Sequence, residues 1–263
     1  MVSIASTPAA VSTSFDRDER VSHARPRRLF FFQPGQAEEQ PLQIPRVQVQ
    51  NVRPRGRRAL AEPESSTLKR AVDLVGAGLA LLLLAPLLIG IAVAIKLESR
   101  GPIFFVQNRY GRRNRLFRVY KFRTMYVEAS DVSGVRQTVA GDPRITAVGR
   151  LLRATSFDEL PQLINVAKGE MSLVGPRPHV PGMLAAGMLY EDLVPYYFQR
   201  HIVRPGLTGL AQVNGCRGST TDSGSAIARI DYDLDYIENW SLGLDCKIIW
   251  HTIRREFLSG SGI

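Results

Sequence analysis

Cysteine and histidine are scarce in this sequence, and neither is clustered. The 263 residues include two cysteines, Cys216 and Cys246, and four histidines. The two cysteines fit neither the spacing of a zinc site nor a disulfide framework, so both of those protein classes are excluded. Residues 1–28 also lack the apolar run of a secretory signal. We therefore expect a protein of a reducing cytosol.

Charge is absent from one long stretch, and acidic charge is nearly absent from the next. Residues 74–95 (LVGAGLALLLLAPLLIGIAVAI) contain no charged side chain. As one helix this stretch would be ~33 Å long, enough to cross a ~30 Å hydrocarbon core. Between residues 96 and 123, nine basic residues face a single acid, Glu98. Such a band beside a membrane is attracted to anionic lipid.

Two topologies fit the apolar stretch: a helix that spans the bilayer, and one that enters, breaks at Pro86 and returns. Ala85 and Pro86 lie near its middle and divide it into two arms that each reach about half the bilayer. Both flanks are basic, with Lys69 and Arg70 before the stretch and the basic band after it. Because a Lys and Arg excess marks the cytoplasmic side, both ends favour the same side. The residues favour the re-entrant helix and leave the spanning helix open.

Residues 1–66 predict a disordered basic tail, since they are rich in Ser, Pro, Gln, Ala and Arg. The ten arginines of residues 1–64 are offset by seven acids, which leaves only +3 of the chain's net charge of +10. The rest of the chain is therefore basic, which indicates phospholipid, nucleic acid or a phosphorylated substrate as the partner. The run from Arg53 to Arg58 would suit nucleic acid, but a basic linker beside a membrane explains it better.

The stretch from Arg153 to Pro178 contains an acidic pair at a predicted helix start. Pro161 has no backbone N–H and therefore fits only the first turn of a helix. That position predicts Asp158 at or near the N-cap, and Ser156 with Glu159 forms a capping-box pattern. Capping alone is the simpler interpretation of this pair.

The same stretch ends in Gly175-Pro176-Arg177-Pro178, a predicted rigid turn that holds an arginine between two prolines. Two adjacent carboxylates near a fixed guanidinium indicate a phosphoryl-transfer site. In such a site the acids bind a metal or attack phosphorus, and the arginine binds phosphate. Arg204, in a later Pro-Gly turn, is either a further phosphate ligand or an arginine that caps the turn.

The remaining elements follow from local pattern and periodicity. The predictions are short strands at 104–106 and 116–120 around a turn at 112–115, a strand at 121–125, a mobile loop at 126–143, and helices at 183–197, 227–236 and 242–253. The last helix carries Trp250 beside Lys and Arg, which suits either a core helix or one in the membrane interface.

Seven motifs in order resemble the catalytic domain of the bacterial monotopic phosphoglycosyl transferases. They are KRAVDLVGAGLALLLLAPLL, GPIFFVQNRYG, FRVYKFRTM, DPRITAVGRLLRATSFDELPQL, NVAKGEMSLVGPRP, RPGLTGLAQVNGCRG and YDLDYIENWSLGLDCKIIWHTI. One such motif is weak, but seven in sequence from Lys69 to about Ile253 are specific. The last two are most similar to undecaprenyl-phosphate hexose-phosphate transferases that start exopolysaccharide repeat units.

The resemblance implies an α+β, mostly helical monotopic membrane protein. It would have a re-entrant membrane helix hairpin at 67–98 and a cytoplasmic transferase domain at 99–263, with short strands and interfacial amphipathic helices. The implied reaction moves hexose 1-phosphate, from UDP-glucose or otherwise UDP-galactose, to undecaprenyl phosphate and releases UMP. The implied location is the bacterial inner membrane, with the catalytic domain facing the cytoplasm. Expected partners are UDP-hexose, undecaprenyl phosphate and membrane lipid; no nucleic acid is expected, and a homo-oligomer is left open.

The resemblance also implies roles for individual residues. Asp158 would be the nucleophile that forms a covalent phosphosugar intermediate, and Asp158 with Glu159 would bind Mg²⁺. The candidate phosphate ligands are Arg153, Arg177, Arg204, Lys121 and Arg123. One departure is Ala85, because many members have a serine before the helix-breaking proline. A membrane-anchored basic binding protein without catalysis is the alternative, and it leaves the acidic pair unexplained.

Overall fold

The computed structural model describes residues 66–129, 141–216, 218 and 220–258. The predicted tail, most of the predicted loop at 126–143 and the last five residues lie outside these ranges. The helices are α1 (Thr67–Glu98), α2 (Ala147–Ala154), α3 (Gln162–Lys168), α4 (Tyr190–Leu193), α5 (Leu210–Val213), α6 (Ser223–Glu238) and α7 (Leu242–Leu258). The strands are β1 (Phe104–Tyr110), β2 (Leu116–Phe122), β3 (Ser172–Val174), β4 (Leu184–Ala185), β5 (Met188–Leu189) and β6 (Gly206–Thr208). The predicted mixture of helices and short strands is confirmed.

The apolar stretch forms one continuous helix, α1, which is long and apolar enough to cross a membrane. It begins at Ser66, whose side chain accepts a hydrogen bond from the Lys69 amide at 3.2 Å, and it ends at Ser99 in extended backbone. The predicted break at Pro86 is not observed, because the helix continues through this residue. A proline removes one hydrogen bond of a helix, and the remaining turns on both sides of Pro86 keep it helical.

One face of α1 packs on the protein along its whole length. Ala77, in the first half, packs with Leu163 and Val166 of α3. Ile91 and Ile95, in the second half, pack in a cluster with Phe122 of β2 and Leu152 of α2. The opposite face exposes eleven large apolar side chains: Leu68, Val72, Leu74, Val75, Leu79, Leu82, Leu83, Leu87, Ile89, Val93 and Leu97. A contiguous apolar surface of this size marks contact with a membrane or with another protein.

Polar contacts hold the first turns of α1 to the rest of the chain. Lys69 Nζ lies 2.8 Å from Asp245 Oδ2 of α7, and both side chains are almost fully buried. Asp73 accepts hydrogen bonds from the Ser172 hydroxyl at 2.8 Å and the Leu173 amide at 3.0 Å. These contacts connect the N-terminal end of α1 to β3 and α7.

The strands form three small two-stranded sheets. β1 and β2 pair antiparallel, and the turn Arg112–Asn114 between them confirms the predicted hairpin. β2 ends at Phe122, so the strand predicted over 121–125 is shorter than expected; Met125 forms only an isolated bridge with Ile145. β3 and β6 pair in parallel, and β4 and β5 pair antiparallel.

The helix predicted over 183–197 is wrong. The segment instead forms the β4–β5 hairpin followed by the short helix α4. Ala186 and Gly187, at the tip of the hairpin, have positive φ angles of 50° and 83°. Two consecutive residues in the left-handed region form a tight hairpin turn and cannot continue a right-handed helix.

The C-terminal helices complete the core. The predictions of an acidic helix and an amphipathic one are confirmed by α6 and α7. Asp222 caps α6 by accepting a hydrogen bond from the Ser225 amide at 2.6 Å. The largest cluster of buried side chains joins this helix pair to the segment after β5, through Tyr190, Tyr197, Ala226, Ile230, Leu234, Ile237 and Ile248.

Replacing Lys69 by methionine should destabilise the protein, because Asp245 would keep a buried negative charge without its cation. Asp245 retains hydrogen bonds from Tyr236 Oη at 2.9 Å and Trp240 Nε1 at 3.2 Å. We therefore expect a loss of about 3 kcal/mol, at the lower end for a broken buried ion pair. Denaturant unfolding in detergent, followed by circular dichroism, measures this loss.

Two further variants make this test specific. Lys96→Met removes an exposed lysine of the same helix, which donates to the Gly101 carbonyl, and should change stability little. Lys69→Met combined with Asp245→Asn should recover part of the loss, because a neutral amide needs no counter-charge. Equal stability of Lys69→Met and Lys96→Met would contradict the prediction.

Candidate active site

The acidic pair lies in a tight turn between two helices. α2 ends at Thr155, and Ser156 adopts left-handed backbone with φ 56°. Phe157–Glu159 then form one turn of 3-10 helix, and Pro161 precedes α3 as its N-cap. The chain therefore reverses direction at the acids.

The predicted capping by Asp158 is wrong, although Pro161 does lie at the helix start. A capping side chain needs extended backbone at the N-cap, whereas Ser156 is left-handed and makes no capping hydrogen bond. Glu159 does not complete a capping box either, since its carboxylate is bound by cationic side chains. The acids are therefore not occupied in capping a helix.

Glu159 is the centre of the ionic network at this turn. Arg177 binds it with both terminal nitrogens, at 2.9 Å for Nη1 to Oε2 and 2.5 Å for Nη2 to Oε1. Lys121 Nζ lies 2.6 Å from Oε1. Burial alone would raise the pKa of Glu159, but Arg177 and Lys121 outweigh it and hold the pKa well below its usual range. Glu159 is therefore an anion that neutralises two cations.

Asp158 is in a different state from its neighbour. Among the residues that the structure describes, none donates a hydrogen bond to its carboxylate. Burial raises the pKa of Asp158 to about 6, and the negative charge of Glu159 acts in the same direction. The positive charges of Lys121, Arg153 and Arg177 oppose this rise. The Asp158 carboxylate therefore has unused acceptor oxygens and lies among the positive charges of Lys121, Arg153 and Arg177.

Arg153 approaches the acids from the last turn of α2. Its Nε donates a hydrogen bond to Thr124 Oγ1 at 2.9 Å, just after the end of β2. Burial lowers the pKa of Arg153, and the charge of Asp158 is the largest influence against this change. The structure therefore brings five of the predicted residues together: Lys121, Arg153, Asp158, Glu159 and Arg177.

Four other predicted residues lie elsewhere. Arg123 donates to the carbonyls of Ser99 and Arg100, so it binds the end of α1. Arg204 Nε donates to the Gly169 carbonyl at 2.8 Å, at the opposite end of α3 from the acids. Such contacts satisfy carbonyls at helix ends. The last two are Ala85 and Pro86, in the middle of α1.

Arg109 is a site residue that the sequence analysis did not single out. Its Nη1 donates to the Pro178 carbonyl at 2.7 Å, directly after Arg177. Its Nε and Nη2 both donate to Gln107 Oε1, at 3.2 and 2.9 Å. Residues two apart in a strand share a face, and this Gln-x-Arg spacing is the signal that could have indicated the pair.

The comparison with known families identifies the family of this chain. The family described as "Bacterial sugar transferase" matches residues 64–259. This chain belongs to the bacterial sugar transferase family. The predicted membership is confirmed, and the chain is an enzyme. The alternative of a basic binding protein without catalysis is therefore rejected.

Individual relatives of this sugar transferase support the same assignment. It is 54% identical to the exopolysaccharide production protein PSS of Rhizobium leguminosarum bv. phaseoli over 195 residues, which cover 74% of this chain and 98% of that protein. It is 53% identical to the undecaprenyl-phosphate glucose phosphotransferase of Komagataeibacter xylinus over 191 residues, 73% of this chain and 36% of that protein. It is 48% identical to the UDP-glucose:undecaprenyl-phosphate glucose-1-phosphate transferase of Escherichia coli (strain K12) over 192 residues, which cover 73% of this chain and 40% of that protein. The chain thus spans two fifths or less of the two longer relatives.

The acidic turn of the sugar transferase fits a magnesium ion that would also contact substrate phosphates. No group of three or more His, Cys, Asp or Glu side chains suited to a metal occurs in the described ranges. Mg²⁺ is commonly held by one or two carboxylates together with phosphate oxygens and water. The unused oxygens of Asp158 suit this role, whereas Glu159 is already bound by Lys121 and Arg177.

The pKa of Asp158 predicts a pH dependence of stability in protein kept metal-free with EDTA. In the folded protein this carboxyl has a pKa of about 6, against an ordinary value of 3.8. A raised acid pKa means that the folded state binds the proton more tightly, so stability is lost as pH rises between these two values and is constant above them. Unfolding midpoints of the wild type and Asp158→Asn, measured from about pH 4 to about pH 7, test this.

The stability of the wild type relative to Asp158→Asn should fall across this range. Asp192→Asn, at an exposed acid outside the site, supplies a matched control for the loss of a carboxyl group. A constant difference for Asp158→Asn would contradict the prediction.

Proposed function

We propose that this sugar transferase moves hexose 1-phosphate from a UDP-sugar to undecaprenyl phosphate and releases UMP, as the first membrane step of exopolysaccharide or capsule synthesis. The hexose is glucose, with galactose as the second choice. One observation carries the proposal: a half-buried carboxylate, Asp158, has unused oxygens and is surrounded by Lys121, Arg153 and Arg177. The names of the Komagataeibacter and Escherichia relatives support the choice of substrates.

In the first step, a carboxylate oxygen of Asp158 attacks the phosphorus that bears the sugar. The bond between this phosphorus and the bridging oxygen of the diphosphate breaks, and UMP leaves with the electron pair. A covalent phosphosugar on Asp158 results. An aspartate is a competent nucleophile for phosphorus, and the deprotonated form is required. The unused oxygens of Asp158 support this role.

In the second step, a phosphate oxygen of undecaprenyl phosphate attacks the same phosphorus. The bond to Asp158 breaks, the carboxylate is restored, and the hexose leaves on an undecaprenyl diphosphate. Negative charge develops on the phosphoryl oxygens in both steps. The guanidinium groups of Arg153 and Arg177 and the ammonium of Lys121 are positioned to neutralise it.

Glu159 keeps the cations of the site in place before the substrate binds. Its ion pairs with Arg177 and Lys121 compensate two half-buried positive charges. Substrate phosphates can then share or take over these partners. Mg²⁺, held by Asp158 and by phosphate oxygens, would supply further neutralisation of the diphosphate. The predicted binding of Mg²⁺ by Glu159 requires Glu159 to exchange one of its present partners.

We also propose that α1 dips into one face of the membrane without crossing it, so that both of its ends stay on the same side. Both halves of the helix pack on the same body of protein, Ala77 against α3 and Ile95 in the cluster with Phe122. A helix that spans a bilayer puts its two ends in different compartments, where one compact body cannot contact both. The donor is a cytosolic nucleotide sugar, so the site would face the cytoplasm at the inner membrane.

Asp158→Asn tests the reaction. The variant should lose all detectable release of UMP from UDP-glucose and undecaprenyl phosphate, because an amide is not a nucleophile. It should also lose the protein-bound label formed from UDP-[14C]glucose without acceptor. The control Asp192→Asn should retain both signals. An Asp158→Asn enzyme with more than about a tenth of wild-type turnover would exclude the covalent route.

Cysteine labelling in intact cells tests the topology. Thr67 and Arg100 are exposed residues at the two ends of α1, and each would be changed to cysteine in a background that lacks Cys216 and Cys246. A membrane-impermeant thiol reagent should label neither position in intact cells and both after lysis. Labelling of one position alone in intact cells would show that α1 spans the membrane.

A further inference from the structure

The segment that carries Arg177 is held by its carbonyl groups. Pro176 and Pro178 have no N–H to donate. Four consecutive carbonyls nevertheless all accept hydrogen bonds, each from a different residue. The donors are the Gly206 amide to Pro176 (2.9 Å), Arg200 Nη2 to Arg177, Arg109 Nη1 to Pro178 (2.7 Å) and the Tyr110 amide to His179 (2.9 Å).

Two of these four donors are arginine side chains, and each is itself held in place. Arg109 lies on β1, and its Nε and Nη2 are fixed by Gln107, a residue that is only 5% exposed. The planar guanidinium can therefore bind Gln107 on one side and the Pro178 carbonyl on the other. A change at Gln107 would release Arg109 without altering any charge in the site.

Arg200 holds the segment through the carbonyl of Arg177. It is 1% exposed, and its Nη2 lies 2.8 Å from Asp233 Oδ2 of α6. Its Nη1 lies 2.8 Å from Nδ1 of His179. Burial and the charge of Arg200 hold the pKa of His179 well below its ordinary range, so the ring is neutral and can accept this hydrogen bond. Arg200 thus connects the carbonyl of Arg177 to the core helix α6.

We propose that Arg109 and Arg200 are positioning residues for Arg177: they hold the carbonyls of Pro178 and Arg177, and so fix where the Arg177 guanidinium meets the substrate phosphate. The proposal rests on the proposed function, in which Arg177 binds phosphate. The terminal nitrogens of Arg109 bind the Pro178 carbonyl and Gln107, and those of Arg200 bind the Arg177 carbonyl, Asp233 and His179. Neither Arg109 nor Arg200 needs to touch the substrate.

The geometry explains why small changes should matter. Arg177 binds Glu159 through both terminal nitrogens, so its present position is defined by two hydrogen bonds at 2.5 and 2.9 Å. A misplacement of about 1 Å at a catalytic group can cost about 100-fold in rate. Loss of one carbonyl contact would allow a shift of this order in the segment, while the core clusters stay intact.

The test compares Gln107→Leu and Arg109→Lys with the full-length wild-type enzyme. Leucine fills the space of Gln107 and removes the acceptor, and lysine keeps the charge of Arg109 but cannot bind two partners in a plane. Both variants should lower kcat with UDP-glucose and undecaprenyl phosphate by about 10- to 100-fold. Arg70→Lys is the matched control, because Arg70 also donates to a backbone carbonyl, that of Ala167, and should leave kcat unchanged.

A double-mutant cycle separates positioning from a general structural effect. If Gln107 and Arg109 act through Arg177, then adding Gln107→Leu to an Arg177→Lys enzyme should lower kcat by a further factor of less than about three. Additive losses, or an unchanged kcat in Gln107→Leu alone, would overturn the proposal. The fully buried Arg200 is tested by Arg200→Lys in the same cycle. If Arg200→Lys does not fold, the result for Gln107→Leu alone decides whether the proposal stands.

Hydrogen–deuterium exchange provides a readout that does not depend on the reaction. Exchange across residues 172–182 should increase in Gln107→Leu and not in Arg70→Lys, and unchanged exchange would also overturn the proposal. A wild-type enzyme without UDP-glucose turnover would instead contradict the proposed function. The two failures are therefore distinguishable.

Discussion

The packing of one face of α1 on the protein is the constraint on which the rest of the structure depends. Within the described ranges, two of the three clusters of buried apolar residues contain side chains of this helix, Ala77 in one and Ile91 with Ile95 in the other. These clusters also contain the elements next to the acidic turn, α2 and α3. The helix that exposes eleven large apolar side chains is therefore also a core helix of the domain. The exposed apolar surface and the geometry of the candidate site therefore depend on the same helix.

The site shows how half-buried cations are compensated in a folded protein. Lys121 and Arg177 would each lose an ion-pair partner if Glu159 were absent. Lys121 and Arg177 donate their hydrogen bonds to Glu159, and none of the described residues donates one to Asp158. The sequence Asp-Glu therefore divides two tasks between neighbours. One carboxylate neutralises the cations, and the other keeps its oxygens for chemistry.

The sequence predicted the parts of this structure that depend on local chemistry. The apolar length of α1, the β1–β2 hairpin and the rigid segment around Arg177 each follow from residue types within a few positions. Long-range pairings were not accessible in this way. Arg123 was predicted to bind phosphate, and Arg204 either to bind phosphate or to cap a turn. In the structure both donate to backbone carbonyls at helix ends, because such carbonyls are also suitable acceptors.

Two failures have a specific physical origin. The segment 183–197 has the apolar periodicity of a helix, yet the left-handed turn at Ala186 and Gly187 makes it a hairpin. Gly187 was the residue in the sequence that could have indicated this turn. Ala186 gave no such indication, because alanine rarely adopts left-handed backbone. Arg200 had no signal at all, because its partners, the carbonyl of Arg177 and the carboxylate of Asp233, come from distant parts of the chain.

The pair formed by Lys69 and Asp245 has a consequence for the order in which the protein is made. The two residues are 176 positions apart in the chain. During synthesis, α1 leaves the ribosome long before α7 exists, so Lys69 remains hydrated while the intervening residues are translated. The contact can close only after α7 has been translated, and contacts between such distant residues form slowly. The start of α1 is thus fixed against the domain only after the 176 positions that separate Lys69 from Asp245 have been synthesised.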